Sequence, residues 1–129
     1  MADVSIIVEN AGFSAEEIKS LIDNLMEGCV EVVLTDPGYL RVLNREYRHI
    51  DRATDVLSFD LALREEDRPE GTIYADVRLF PPMEALLERI FHGYLHLKGY
   101  SHSNEKDAGI MSREVDSLVA AALGKQVEN

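Results

Sequence analysis

One cysteine, Cys29, stands in a chain of 129 residues, so no internal disulfide can form and a cysteine-rich structural zinc site is disfavoured. Beside the apolar run 30–34, that thiol reads as a small core residue rather than a nucleophile. Long hydrophobic runs are missing too. No stretch approaches the roughly 18 apolar residues of a membrane span, and the opening MADVSIIVEN lacks a basic segment followed by an apolar one. The expectation is a cytoplasmic protein with no membrane partner. Positive charge is scarce, with 13 Lys and Arg against 24 Asp and Glu for a net −11. That balance opposes non-specific binding to nucleic acid, so any nucleic-acid partner has to meet a local basic patch. With no repeat, low-complexity segment or linker, 1–129 reads as a single domain, long enough to bury roughly two-thirds of its unfolded surface. Its oligomeric state is left open.

What is present is a regular alternation of elements. The β-branched run 4–8 predicts a strand, broken at 10–13. Ser14 with Glu17 forms a capping box, and Ile18, Leu21, Ile22 and Leu25 recur at helical spacing until Gly28. Residues 29–34 predict a strand apolar on both faces and therefore internal. Asp36 and Pro37 open a second helix running to about Tyr47. Strands follow over 54–59 and 72–80, separated by an exposed loop over 60–71. Pro81 and Pro82 start a third helix with Met83, Leu86, Leu87, Ile90 and Phe91 as its apolar stripe. Ser103 caps a fourth, which turns Ile110, Met111, Val115, Leu118, Val119 and Ala122 inward before Gly124 and a frayed tail over 125–129. The order β-α-β-α-β-β-α-α suits an α+β (α/β-like) domain: one mixed sheet of about four strands packed with four or five helices, in which the loop of about twelve residues between the third and fourth strands allows an antiparallel pair.

The chemistry is concentrated in HGYLHLKGYSH, residues 92–102, which holds three of the four histidines. Residues i and i+4 of a helix lie about 40° apart around its axis, so His92 and His96 project from one face. Gly99 stands where a helix end needs a left-handed residue, and that turn returns His102 to the same face. Three neutral imidazoles at the end of a central helix make a metal site. Zinc held by three protein ligands with its fourth position left to water is the catalytic arrangement. His49, alone upstream, is not expected to be a ligand. The spacing HxxxHxxGxxH also belongs to metzincin proteases, whose general base is a glutamate directly after the first histidine; here that residue is Gly93.

A second feature is a basic stripe. Arg41, Arg45 and Arg48 fall within about 60° of one another on the second helix, away from Leu40, Leu43 and Tyr47. A solvated face partly paired with Glu46 or Asp51 accounts for such a stripe. On helical geometry alone that is the favoured account, with guidance of phosphate as the alternative.

Three stretches together resemble the YbeY endoribonucleases, also called rRNA maturation factors. HGYLHLKGYSH resembles that family's HGxLHLxGYDH, residues 43–59 (LNREYRHIDRATDVLSF) resemble its LNxxYRxxDxPTDVLSFP, and YADVRL over 74–79 is similar to its LGDIxI. The chain departs from the pattern at Ala53, Asp60, Ala75 and Ser101, the last in place of an aspartate before His102. The resemblance implies the metal ligands His92, His96 and His102, one zinc ion per chain, and a catalytic arginine at Arg48. It further implies metal-dependent cleavage of single-stranded RNA in ribosomal RNA maturation, including small-subunit 3′ end processing, and in ribosome quality control, with the ribosome or its assembly factors as partners. A guanidinium suits that chemistry because negative charge builds on the phosphate oxygens during hydrolysis. Asp55 and Asp76 are candidates to orient a ligand from behind, and Ser58 to hydrogen-bond within the cleft. A zinc metallopeptidase and a non-catalytic ribosome-assembly factor are the competing readings.

Overall fold

The computed structural model describes residues 2–6, 14–77 and 82–124. The expected strand residues Ile7, Val8, Arg78, Leu79 and Phe80, the break at 10–13, Pro81 and the tail over 125–129 lie outside them. Four strands, β1 (Ala2–Ile6), β2 (Cys29–Thr35), β3 (Val56–Asp60) and β4 (Glu70–Asp76), and four α-helices, α1 (Ala15–Ile22), α2 (Pro37–Arg48), α3 (Met83–Leu97) and α4 (Glu105–Ala122), follow one another in the order β1-α1-β2-α2-β3-β4-α3-α4. The strand order is β1-β2-β4-β3. β1 and β4 run parallel to β2, while β3 pairs antiparallel with β4 from Val56 opposite Ala75 to Asp60 opposite Gly71. β2 is internal, as its two apolar faces require, and β3 forms an edge.

The caps explain where the helices start. Ser14 Oγ accepts from Glu17 N–H at 3.1 Å and Asp36 Oδ1 from Tyr39 N–H at 2.7 Å. At α4 the cap is Asn104, not the expected Ser103, and its Oδ1 accepts from Asp107 N–H at 2.8 Å. Asn, Asp and Ser cap with similar strength, so the sequence alone had two adjacent candidates.

The sheet separates two unequal cores. On one face Ile18 and Ile22 of α1, Leu86, Leu87, Ile90 and Phe91 of α3, and Met111, Val115 and Val119 of α4 join Val32, Leu34, Ile73 and Ala75. On the other, Leu40 and Leu43 of α2 pack on Leu57, with Phe59 and Tyr74 alongside. Two expected core residues face solvent. Cys29 is exposed because strand alternation buries Val30 instead, and Ile110 is 36% exposed, next to the buried Met111.

α3 lies very close to the sheet at Gly93. A Cβ placed there would stand 2.8 Å from Cγ2 of buried Ile73 and 3.5 Å from Val56 Cγ2. The missing side chain lets α3 pack directly on β4 and β3 at this point.

Candidate metal centre

His92 and His96 occupy the last two turns of α3. The helix ends with Gly99 at φ 103, a backbone conformation that side chains disfavour, and Gly99 N–H donates to His96 O at 3.0 Å while Tyr100 N–H donates to Leu95 O at 2.9 Å. The reversal has two effects. It brings the Tyr100 carbonyl to 3.1 Å from His96 Nδ1, and it returns His102 to the face of His92 and His96, with ring centroids 5.5 Å and 4.9 Å away. A carbonyl oxygen can only accept, so His96 Nδ1 carries the proton and Nε2 presents its lone pair. That Nε2 lies 3.1 Å from His92 Nε2. Two nitrogens each 2.0–2.1 Å from one tetrahedral ion stand about 3.3 Å apart, so the pair is spaced for a shared metal. One nitrogen from each of His92, His96 and His102 lies within 4.8 Å of the others, the one such group of His, Cys, Asp or Glu among the described residues. His49 is elsewhere, exposed at the left-handed end of α2 with φ 60.

The surroundings of His92 and His96 favour their neutral forms. Burial holds His92 below the ordinary imidazole range, reinforced by His96 and His102 and opposed by Asp55. Burial likewise lowers His96 against the pull of its Tyr100 hydrogen bond, with His102 and Arg48 adding to the lowering. Neutral imidazole is the metal-binding form.

A cleft of about 670 Å³ opens on this cluster, lined by His92, His96 and His102, by Ser58 and Phe59 of β3, and by Tyr47 and Arg48 at the end of α2. Because α3 and α2 cover opposite faces of the sheet, histidines and arginine meet around the β3 edge. Asn44 fixes the chain as it leaves α2, donating from Nδ2 to Arg52 O at 2.9 Å while its backbone carbonyl accepts from Ile50 N–H at 3.2 Å.

The basic stripe therefore divides. Arg41 Nε donates to Asp51 Oδ1 at 2.7 Å and Arg45 lies 3.7 Å from Glu46, whereas Arg48 lines the cleft. Asp55 also lines it, 3.6 Å from Arg89 Nε, and Arg89 Nη1 donates to the carbonyl of Asp76 at 2.7 Å. Asp76 itself is buried. Reading the sequence missed Arg89 as the support of Asp55 and the Tyr100 carbonyl as the partner of His96. The turn at Gly99 was the only available signal for the second. Gly93, where a metzincin carries its base, has no room for a side chain beside Ile73.

The chain is similar to known proteins over most of its length. Residues 6–87 match the family model described as endoribonuclease YbeY, a segment that ends before His92. A protein named endoribonuclease YbeY from Carboxydothermus hydrogenoformans is 36% identical over 106 residues, covering 75% of this chain and 73% of the relative. One of the same name from Azorhizobium caulinodans is 31% identical over 152 aligned positions, covering 95% and 92%. A Thermotoga maritima protein with a known solution structure superimposes with a TM-score of 0.59 at 29% identity, covering 96% of this chain and 90% of that one.

Proposed function

The chain belongs to the endoribonuclease YbeY family, and on that premise we propose that it is a zinc-dependent endoribonuclease that cleaves single-stranded RNA. Its role is ribosomal RNA maturation and ribosome quality control in the cytoplasm, with ribosomal RNA as substrate and the ribosome or its assembly factors as partners. The supporting observation is that three imidazoles and the Arg48 side chain line one cleft around the β3 edge.

His92, His96 and His102 hold the ion. Three protein nitrogens and no cysteine form the ligand set of a catalytic zinc. Zinc bound there supplies a Lewis acid for a phosphoryl oxygen and brings the pKa of water near 7. The remaining work falls to the chain. The Tyr100 carbonyl holds His96 in the tautomer that ligates. Asp55, anchored by Arg89, sets a negative charge beside His92. Arg48 directs its guanidinium at the non-bridging oxygens of the scissile phosphate and stabilises the charge that builds there. In a chain of net charge −11, such a local cation also decides where a polyanion docks.

Zinc-loaded protein incubated separately with single-stranded RNA, duplex RNA and an unfolded peptide tests the assignment. Cleavage of the single strand alone, absent in His96→Ala, is expected. Peptide cleavage with RNA untouched points to a metallopeptidase, and RNA bound but never cut points to an assembly factor.

A further inference from the structure

Tyr47 is the most exposed of the large apolar residues of α2, beyond Tyr39 and Val42 at 41% and 42%. Leu40 and Leu43 on the same helix are buried, but Tyr47 is 68% exposed. It is nevertheless held in place. Its ring meets Phe59 at 5.6 Å between centroids with planes at 76°, and Phe59 meets Tyr74 at 5.7 Å and 86°. An edge-to-face contact covers at most one face of a ring, so Phe59 leaves at least one face of Tyr47 open. Both Tyr47 and Phe59 line the cleft that contains Arg48 and the three histidines.

A braced, solvent-facing aromatic beside a cation and a hydrolytic centre has the composition of a single-strand platform, in which a base stacks on the ring while the cation meets the backbone. We propose that Tyr47 stacks an unpaired base of the RNA next to the phosphate held by Arg48, and so positions the strand and helps to exclude paired substrates. A base inside a duplex has its faces covered by its neighbours and cannot take that place without unstacking. The inference rests on RNA being the substrate, and it adds a positioning residue outside the metal ligands and Arg48.

The test uses the 129-residue chain and a short fluorescein-labelled oligoribonucleotide, intact or with one abasic ribose at successive positions. Binding is read by anisotropy with chelator present, so that no cleavage intervenes, and cleavage is read separately with zinc. Tyr47→Ala should weaken binding about 5-fold or more, the lower end for removing one stacked base. Tyr47→Phe should bind like wild type, and Tyr47→Leu like Tyr47→Ala. One abasic position should weaken binding to wild type and have no further effect on Tyr47→Ala, a coupling that a purely structural role would not produce. Equal affinity of Tyr47→Ala and wild type, full rescue by Leu, or additive abasic losses would overturn the assignment. If wild type binds with this pattern but does not cut, the nuclease reading fails and the platform stands; if wild type neither binds nor cuts, both fail.

Discussion

His96 Nδ1 donates to the Tyr100 carbonyl at 3.1 Å, and its Nε2 points to His92 Nε2 at the same 3.1 Å. The loop after α3 thus sets the tautomer of His96 on α3 through one backbone oxygen. Whether that oxygen arrives depends on Gly99.

Replacing Gly99 with Ala forces a side chain into φ 103, a strain of about 1–3 kcal/mol. Nothing blocks a Cβ there sterically, since no heavy atom lies within 4 Å, so the whole cost is conformational. Thermal denaturation should show that loss, and zinc affinity should fall with it as the Tyr100 carbonyl and His102 are displaced. Unchanged zinc affinity in Gly99→Ala would mean that the turn does not govern the site.

Gly93→Ala tests the approach of α3 to the sheet. Alanine gains about 1 kcal/mol of helix propensity over glycine, but the new Cβ meets Ile73 Cγ2 at 2.8 Å, and overpacking costs about 1–3 kcal/mol. The net expectation is destabilisation on the order of 1 kcal/mol. Combining it with Ile73→Ala, which removes the opposing methyl, should give a double variant more stable than the sum of the two losses predicts.

Arg48→Ala should lower the rate on saturating single-stranded RNA by roughly 10² or more, the scale for losing one preorganised donor. Arg48→Lys should restore little, because an ammonium lacks the planar fork. Zinc content should not change. Arg41→Ala should leave the saturated rate unaltered, since Arg41 is committed to Asp51. A wild-type saturated rate in Arg48→Ala, with only affinity reduced, would return Arg48 to the role of a docking charge.

The depressed His92 and His96 values give the metal-free protein a defined pH dependence. Below the ordinary imidazole value of about 6.5, the unfolded chain takes up protons on these rings before the folded chain does. Their contribution is therefore fully present above about 6.5 and is lost as pH falls through the lower folded values. Urea denaturation across that window should show falling stability on acidification, with a shallower slope in a His92→Gln/His96→Gln variant. Equal slopes would remove these two rings as the cause.

Much of this was legible in the sequence. The element order, the internal β2 and the convergence of His92, His96 and His102 follow from strand and helix periodicity with one turn glycine, and the loop between β3 and β4 allows the antiparallel pairing that the sheet adopts. What was not legible required distances between segments far apart in the chain. Helical geometry grouped Arg41, Arg45 and Arg48, and only the position of Asp51 and of the β3 edge separates them. Tyr47 shares a helical face with Leu40 and Leu43, but its ring stands against Phe59 of β3 and stays largely open to solvent. Cys29 was misassigned because composition beside an apolar run does not say which way the first strand residue points.

The His92→Ala/His96→Ala variant should retain no stoichiometric zinc by elemental analysis, while His49→Ala should match wild type. The most direct test joins this metal content to activity: the initial rate of single-stranded RNA cleavage measured against zinc bound per chain. The rate should rise in proportion to zinc up to one ion per chain, vanish with chelator, return on adding zinc back, and be absent at every loading in His96→Ala. Cleavage that persists in chelated protein, or at wild-type rate in His96→Ala, would contradict a reaction centred on His92, His96 and His102.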